Sequence, residues 1–168
     1  MQRDHALGLV PDLWPSSRPP NGMSSFKSST ECFAWLHARD QLNNLGVLAW
    51  PATHVEPARR ADEFEDGKLH NVWCVTLDID GNMKAGVPVL FTQNFKFKSR
   101  GQDATLDQMI GLEPKARPYG DEAGIVIMRG GGGLVLDAKT ATQTNFNPTG
   151  ATNRFLWPLA AGQDVSGR

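Results

Sequence analysis

Apolar residues in this chain fall mainly into short runs rather than long helical stripes. Val72 to Ile79, Val87 to Phe95, Ile125 to Arg129 and Leu134 to Leu136 are rich in β-branched and aromatic residues and are bounded by turn formers, so each reads as a strand. The first alternates, with Trp73, Val75, Leu77 and Ile79 on one face and His70, Val72, Cys74, Thr76 and Asp78 on the other. That pattern predicts one face in a core and the other half wet. Asp80, Gly81 and Asn82 begin a connection of turn residues, after which Val87 to Phe95 returns as the antiparallel partner. Gly130 to Gly133 separate two apolar runs and predict a hairpin loop.

A helix is expected from about Ser29 to Asn44. Ser28 and Glu31 have the spacing of a capping box, Cys32, Trp35, Leu36 and Leu42 form one apolar stripe, and Gly46 can serve as the left-handed cap. Four prolines between Leu7 and Lys27 exclude a regular helix there, so residues 1–27 read as an extended arm docked by its Leu and Trp side chains. Ala49 to Leu69 reads as a long surface excursion. Ala104 to Gly111 has the composition of one or two helical turns or a polar linker, and residues 163–168 read as a frayed tail. Together these elements predict an α+β fold: an antiparallel β-sheet of four to six strands with one main α-helix packed on its apolar face.

Composition narrows the function by exclusion. At 168 residues with 40% hydrophobic content, the chain suits a single domain, 1–168, with a substantial core. Seventeen basic against eighteen acidic residues leave a formal charge of -1, so no whole-molecule field draws in nucleic acid or an anionic membrane. Seventeen glycines and eleven prolines favour short elements and long connections. No run approaches the roughly 20 apolar residues needed to span a bilayer. The chain as given therefore reads as soluble and monomeric.

Candidate chemistry is sparse. The glycine run lacks the following helix of a phosphate loop. Cys74, His70 and Asp78 share a strand face, but four residues of strand separate Cys74 from each by about 13 Å, outside hydrogen-bond reach. Asp78, Asp80 and Asn82 resemble part of a calcium loop, yet Gly81 falls too early and no downstream glutamate completes the pattern. His5, His37 and His54 have neither metal spacing nor a paired partner. Phe95, Lys96, Phe97, Lys98 and Arg100 interleave aromatics and bases as a single-strand nucleic-acid platform does, but alternation puts the lysines on one side, as in a protected edge strand. Cys32 and Cys74 are a candidate disulfide that would stabilise the fold by about 4 kcal/mol on the chain-entropy account; free, buried thiols are the alternative. The expectation is a non-enzyme with no catalytic residues, no cofactor and no bound metal.

The segments SSTECFAWL, NVWCVTLDID, GVPVLFTQNF and DEAGIVIMRGGGGLVL, in that order, resemble the soluble head domain of type IV pilin-like and pseudopilin proteins. The resemblance covers roughly Ser28 to Leu136. It implies a structural subunit, displayed outside the cytoplasm in the periplasm or at the cell surface, that joins other pilin-like subunits in a pilus or secretion filament. It further implies a membrane-anchored precursor whose apolar N-terminal helix does not precede Gln2 here. On that reading, the acidic residues Asp62 and Glu63 and the basic residues Lys96, Lys98 and Arg100 are candidate complementary patches between neighbours. The alternative function is a small-ligand or glycan-binding module in which Trp50 and Trp157 stack on sugar rings, which requires those rings to lie in an open groove.

Overall fold

The computed structural model describes residues 14–17, 25–49, 55–99 and 101–164. Within these, the protein is mostly sheet. Strands β1 (Trp73–Thr76), β2 (Pro88–Thr92), β5 (Gly124–Met128), β6 (Gly133–Leu136) and β7 (Phe155–Leu156) form an antiparallel sheet in the order β6-β5-β2-β1-β7. A second, two-stranded antiparallel sheet pairs β3 (Phe95–Phe97) with β4 (Met109–Leu112). The helices are short: α1 (Ser29–His37) and α2 (Gln143–Phe146).

The expected α+β architecture is therefore corrected. No main helix from Ser29 to Asn44 covers the sheet, because α1 ends at His37. Its end is set by local backbone chemistry: Asp40 takes a left-handed conformation at φ 58°, its N–H bonds the His37 carbonyl, and the Gln41 N–H reaches back to the Leu36 carbonyl. That is a Schellman closure with aspartate in the position usually given to glycine. Gly46, expected as the cap, lies instead within a 3-10 turn, Leu45–Leu48. The start of α1 follows the sequence more closely. Ser28 Oγ accepts from the Glu31 N–H at 3.1 Å, while the Glu31 carboxylate accepts from the Lys27 N–H.

The second correction concerns β1, which is buried on both faces rather than half wet. Each face of the large sheet carries its own core. On one side Phe91, Phe95, Phe97, Phe146, Phe155 and Trp157 pack ring against ring beneath β3, β4 and α2, and Cys74 and Val126 flank Phe91 in register across β1, β2 and β5. On the other, Trp73, Val75 and Leu77 meet Cys32, Phe33 and Leu36 of α1, Leu45 and Leu48 of the 3-10 turn, and Phe64. Cys32 and Cys74 form no disulfide: they are buried in separate cores, on opposite faces of the sheet.

A third difference lies at Ala104 to Gly111, which gives one 3-10 turn, Leu106–Gln108, followed directly by β4. The glycine run does form the β5–β6 hairpin loop, and within it only Gly131 takes a left-handed conformation, at φ 84°.

Candidate assembly surface

The cover on the second face of the large sheet is incomplete. α1 and the Leu45–Leu48 turn lie over β1 and leave the β2–β5–β6 half open. Leu90 pairs with Ile127, and Ile125 pairs with Val135, so period-two alternation brings these four side chains to the same face. Leu90, Ile125 and Ile127 are only partly buried, and they floor a groove of about 590 Å³ walled by Phe33, Leu36 and Val47. Val135 is 71% exposed and Val47 52%. A run of apolar side chains thus continues from the groove to the rim of the sheet, and a contiguous patch of this kind marks a contact surface more often than isolated exposed residues do.

At that rim, β6 is the outermost strand, with no further strand beside it among the described residues. The Met128 N–H donates to the Gly132 carbonyl, which fixes the phase of the ladder: Leu134 exchanges bonds with Val126, and the N–H and C=O groups of Gly133 and Val135 point out of the sheet. No lysine, proline or bulge blocks this edge, and Leu134 is itself exposed. The opposite edge, β7, is only two residues long, and Pro158 follows it closely.

The position of α1 against β1 depends on a buried polar chain. Ser29 Oγ donates to the Trp73 carbonyl at 2.6 Å, Asn71 Nδ2 donates to Ser29 Oγ at 2.9 Å, and the Trp73 N–H donates to Asn71 Oδ1 at 2.9 Å. Trp73 Nε1 donates to the Val47 carbonyl, which fastens the groove wall to the same strand. The Ser29 hydroxyl, the Asn71 amide and the Trp73 indole and main chain are all partnered in this network, so the wall is held in one geometry.

The candidate charged patches sit apart from this surface. Asp62 and Glu63, on the Ala61–Glu65 turn, pair with Arg60 at 3.3 and 3.7 Å. Lys96, exposed on β3, pairs with Glu113 at 3.7 Å; Lys98 is exposed at the end of the same strand, and Arg100 lies outside the described residues. Phe95 and Phe97 are buried and Lys96 exposed, the alternation expected of a lysine-bearing edge strand. Trp157 is 9% exposed and its indole N–H donates to the Gly101 carbonyl, so its ring is a core element; Trp50 lies outside the described residues.

The calcium-like turn holds a cation of the protein's own. Arg129 Nε, Nη1 and Nη2 donate to the carbonyls of Asp80, Met83 and Gly81 at 2.8–2.9 Å, while Asp80 Oδ1 accepts from the N–H groups of Asn82 and Met83. Among the described residues no group of three or more His, Cys, Asp or Glu could hold a metal ion, and no helix is long and apolar enough to cross a membrane. His70 is buried, with Nδ1 2.7 Å from the Glu56 carbonyl and Nε2 3.2 Å from both Asp66 oxygens, which ties the surface excursion to the entry of β1.

Three carboxyls are held below their ordinary value of 3.8. Lys68 N–H does this chiefly for Asp66, against some desolvation, with His70 adding to it. At Asp78 partial burial pulls upward but is outweighed by the hydroxyls of Ser16 and Ser17 and the Ser17 N–H, which bond its two oxygens at 2.6–2.9 Å. The Thr140 N–H and hydroxyl act on Asp137. Because each is a stronger acid folded than unfolded, its contribution is present above pH 3.8 and is lost as the pH falls through the lower folded value. Thermal melts taken from neutral to strongly acidic solution are expected to stay level for these groups down to about pH 4 and to fall below it. Asp78→Asn should make that fall shallower. Burial alone pushes the Cys32 thiol up to about 12, so it is inert at neutral pH.

No family model, curated protein or solved structure matches the chain.

Sequence reasoning did not single out Leu90, Ile125, Ile127 and Val135 as surface residues. The available signal was Leu134-Val135-Leu136 beside the glycine run, an apolar edge segment with no polar residue in alternation.

Proposed function

We propose that this chain is a structural subunit, the extracytoplasmic head domain of a pilin-like or pseudopilin protein, and that it acts by packing against other subunits of a filament. The observation that carries this reading is the apolar half-face of the large sheet, open from Leu90 to Val135 and continuous with the unblocked β6 edge. A surface of this form is suited to a flat protein neighbour. Further support comes from the segments that resemble pilin-like heads: Ser29, Asn71 and Trp73, from two of them, meet in one hydrogen-bond chain. They act as a unit that sets the helix against the sheet and so shapes the groove wall.

The test uses the single exposed substitution Val135→Cys in the cell that makes the protein, with the native thiols sealed in the cores. Bismaleimide cross-linking is expected to give a ladder at multiples of the subunit mass in the surface fraction, and Ile127→Glu added to the same chain should abolish it. A monomer band alone, or one adduct to a protein of different mass, would refute assembly and point to a binding module.

A further inference from the structure

The rim strand β6 matches a second copy of itself. Gly133 and Val135 turn their N–H and C=O groups out of the sheet, and Gly133, Leu134 and Val135 are all exposed, so these four main-chain groups lie within reach of a neighbour. Gly133 is the clearest case, because the exposed surface of a glycine is main chain. At the next outward positions the donors are engaged within the chain: the Gly131 N–H donates to the Met128 carbonyl and the Asp137 N–H to the Thr140 hydroxyl. Along this edge the donors open to a partner strand are therefore those of Gly133 and Val135.

One arrangement uses both of them on each copy. An antiparallel β6 set on a two-fold axis at Leu134 pairs Gly133 with Val135 of the second copy and Val135 with Gly133 of the second copy, which makes four main-chain bonds. Moving the axis to Gly133 calls on the Gly131 N–H, and moving it to Val135 calls on the Asp137 N–H, both of which are taken. The side chains favour the same register. The two Leu134 side chains meet across the axis, each Val135 lies opposite a glycine that leaves it room, and Asp137 falls opposite Gly131, so the paired span sets no charge against its like.

We propose that β6 pairs antiparallel with β6 of a second copy of this chain, about a two-fold axis at Leu134, joining the two five-stranded sheets into one continuous sheet. The axis stands perpendicular to the sheet, so the open apolar half-faces of the two copies adjoin on one side. This pairing rests on the reading of the β6 rim as an assembly surface, and it gives that rim its partner and register.

The test compares Leu134→Cys with Val135→Cys, each exposed to oxidised glutathione while Cys32 and Cys74 stay buried in their cores. Residues facing each other across the axis without hydrogen bonds have Cα atoms about 4.5 Å apart, inside the disulfide range, whereas Val135 meets its own copy only on the diagonal, about 7–8 Å away. Leu134→Cys is expected to form a disulfide dimer about tenfold faster or more, since pairing raises the effective concentration of its two thiols. Random collision gives the reverse order, because Leu134 is 37% exposed and Val135 71%. In the unsubstituted protein, amide exchange at Gly133 and Val135 should slow several-fold from dilute to concentrated solution and stay constant at Leu134 and Leu136, whose N–H groups already bond β5. Val135→Cys oxidising as fast as Leu134→Cys, or exchange at Gly133 and Val135 that does not change with concentration, would each overturn the pairing. A cross-linked ladder in cells without the Leu134→Cys disulfide refutes the two-fold contact alone, and the disulfide without a ladder refutes the filament alone.

Discussion

Phe91→Ala should lower the free energy of unfolding by about 3–5 kcal/mol and the melting temperature by roughly 6–20 °C. The side chain is fully buried at the centre of the aromatic core, with the rings of Phe95, Phe97, Phe146 and Phe155 at centroid distances of 4.9–6.0 Å. Those four neighbours come from β3, α2 and β7, so a hole at Phe91 removes contacts that join both sheets to the short helix. Edge-to-face partners such as Phe146 and Phe155 lose their geometry as well as their buried area. Collapse is resisted because Phe91 is pinned in register between Cys74 and Val126. Equilibrium urea unfolding measures the effect; a loss below about 1 kcal/mol would mean that the core refills and does not join the sheets.

Gly124→Ala should cost about 1–3 kcal/mol, although it adds one methyl group to a strand. A Cβ at that position would stand 2.5 Å from Cζ of Phe95 and 2.7 Å from Cδ2 of Leu112. The Phe95 ring cannot easily retreat, because Phe146 packs against it at 4.7 Å. The clash lies where β5 passes beneath the two-stranded sheet, so the glycine sets how closely the two sheets approach. A thermal melt beside that of Gly132→Ala, a position with open space around it, separates crowding from the general effect of replacing glycine. Equal melting temperatures for the two variants would refute the close-approach argument.

The strands could be read because β-branched and aromatic runs between turn formers report a pleated, buried surface directly. Their neighbours β4 and β7 could not: Met109-Ile110-Gly111-Leu112 contains a glycine at φ 145° and follows a turn, and Phe155-Leu156 is too short to show a period. The apolar stripe continues to Leu42 and so predicts a longer helix than forms, while the signal that ends it is one aspartate in a conformation that aspartate adopts only occasionally. The burial of both faces of β1 was hidden by Thr76 and Asp78, which made one face look wet. Thr76 is wholly buried, whereas Asp78 is exposed and fastened to Ser16 and Ser17. Of the candidate surface, the hairpin at Gly130 to Gly133 and the lysine-bearing edge at Lys96 were legible. The open half-face was not, since it follows from the helix stopping short.

The two cysteine thiols are sealed in separate cores with the sheet between them, so no covalent cross-link contributes to holding the chain together. Its architecture is consequently indifferent to the electron balance of its surroundings: glutathione has no bond to break, and an oxidising enzyme has no adjacent pair to join. The same shape can form and persist in reducing and in oxidising surroundings alike, without a maturation step between them.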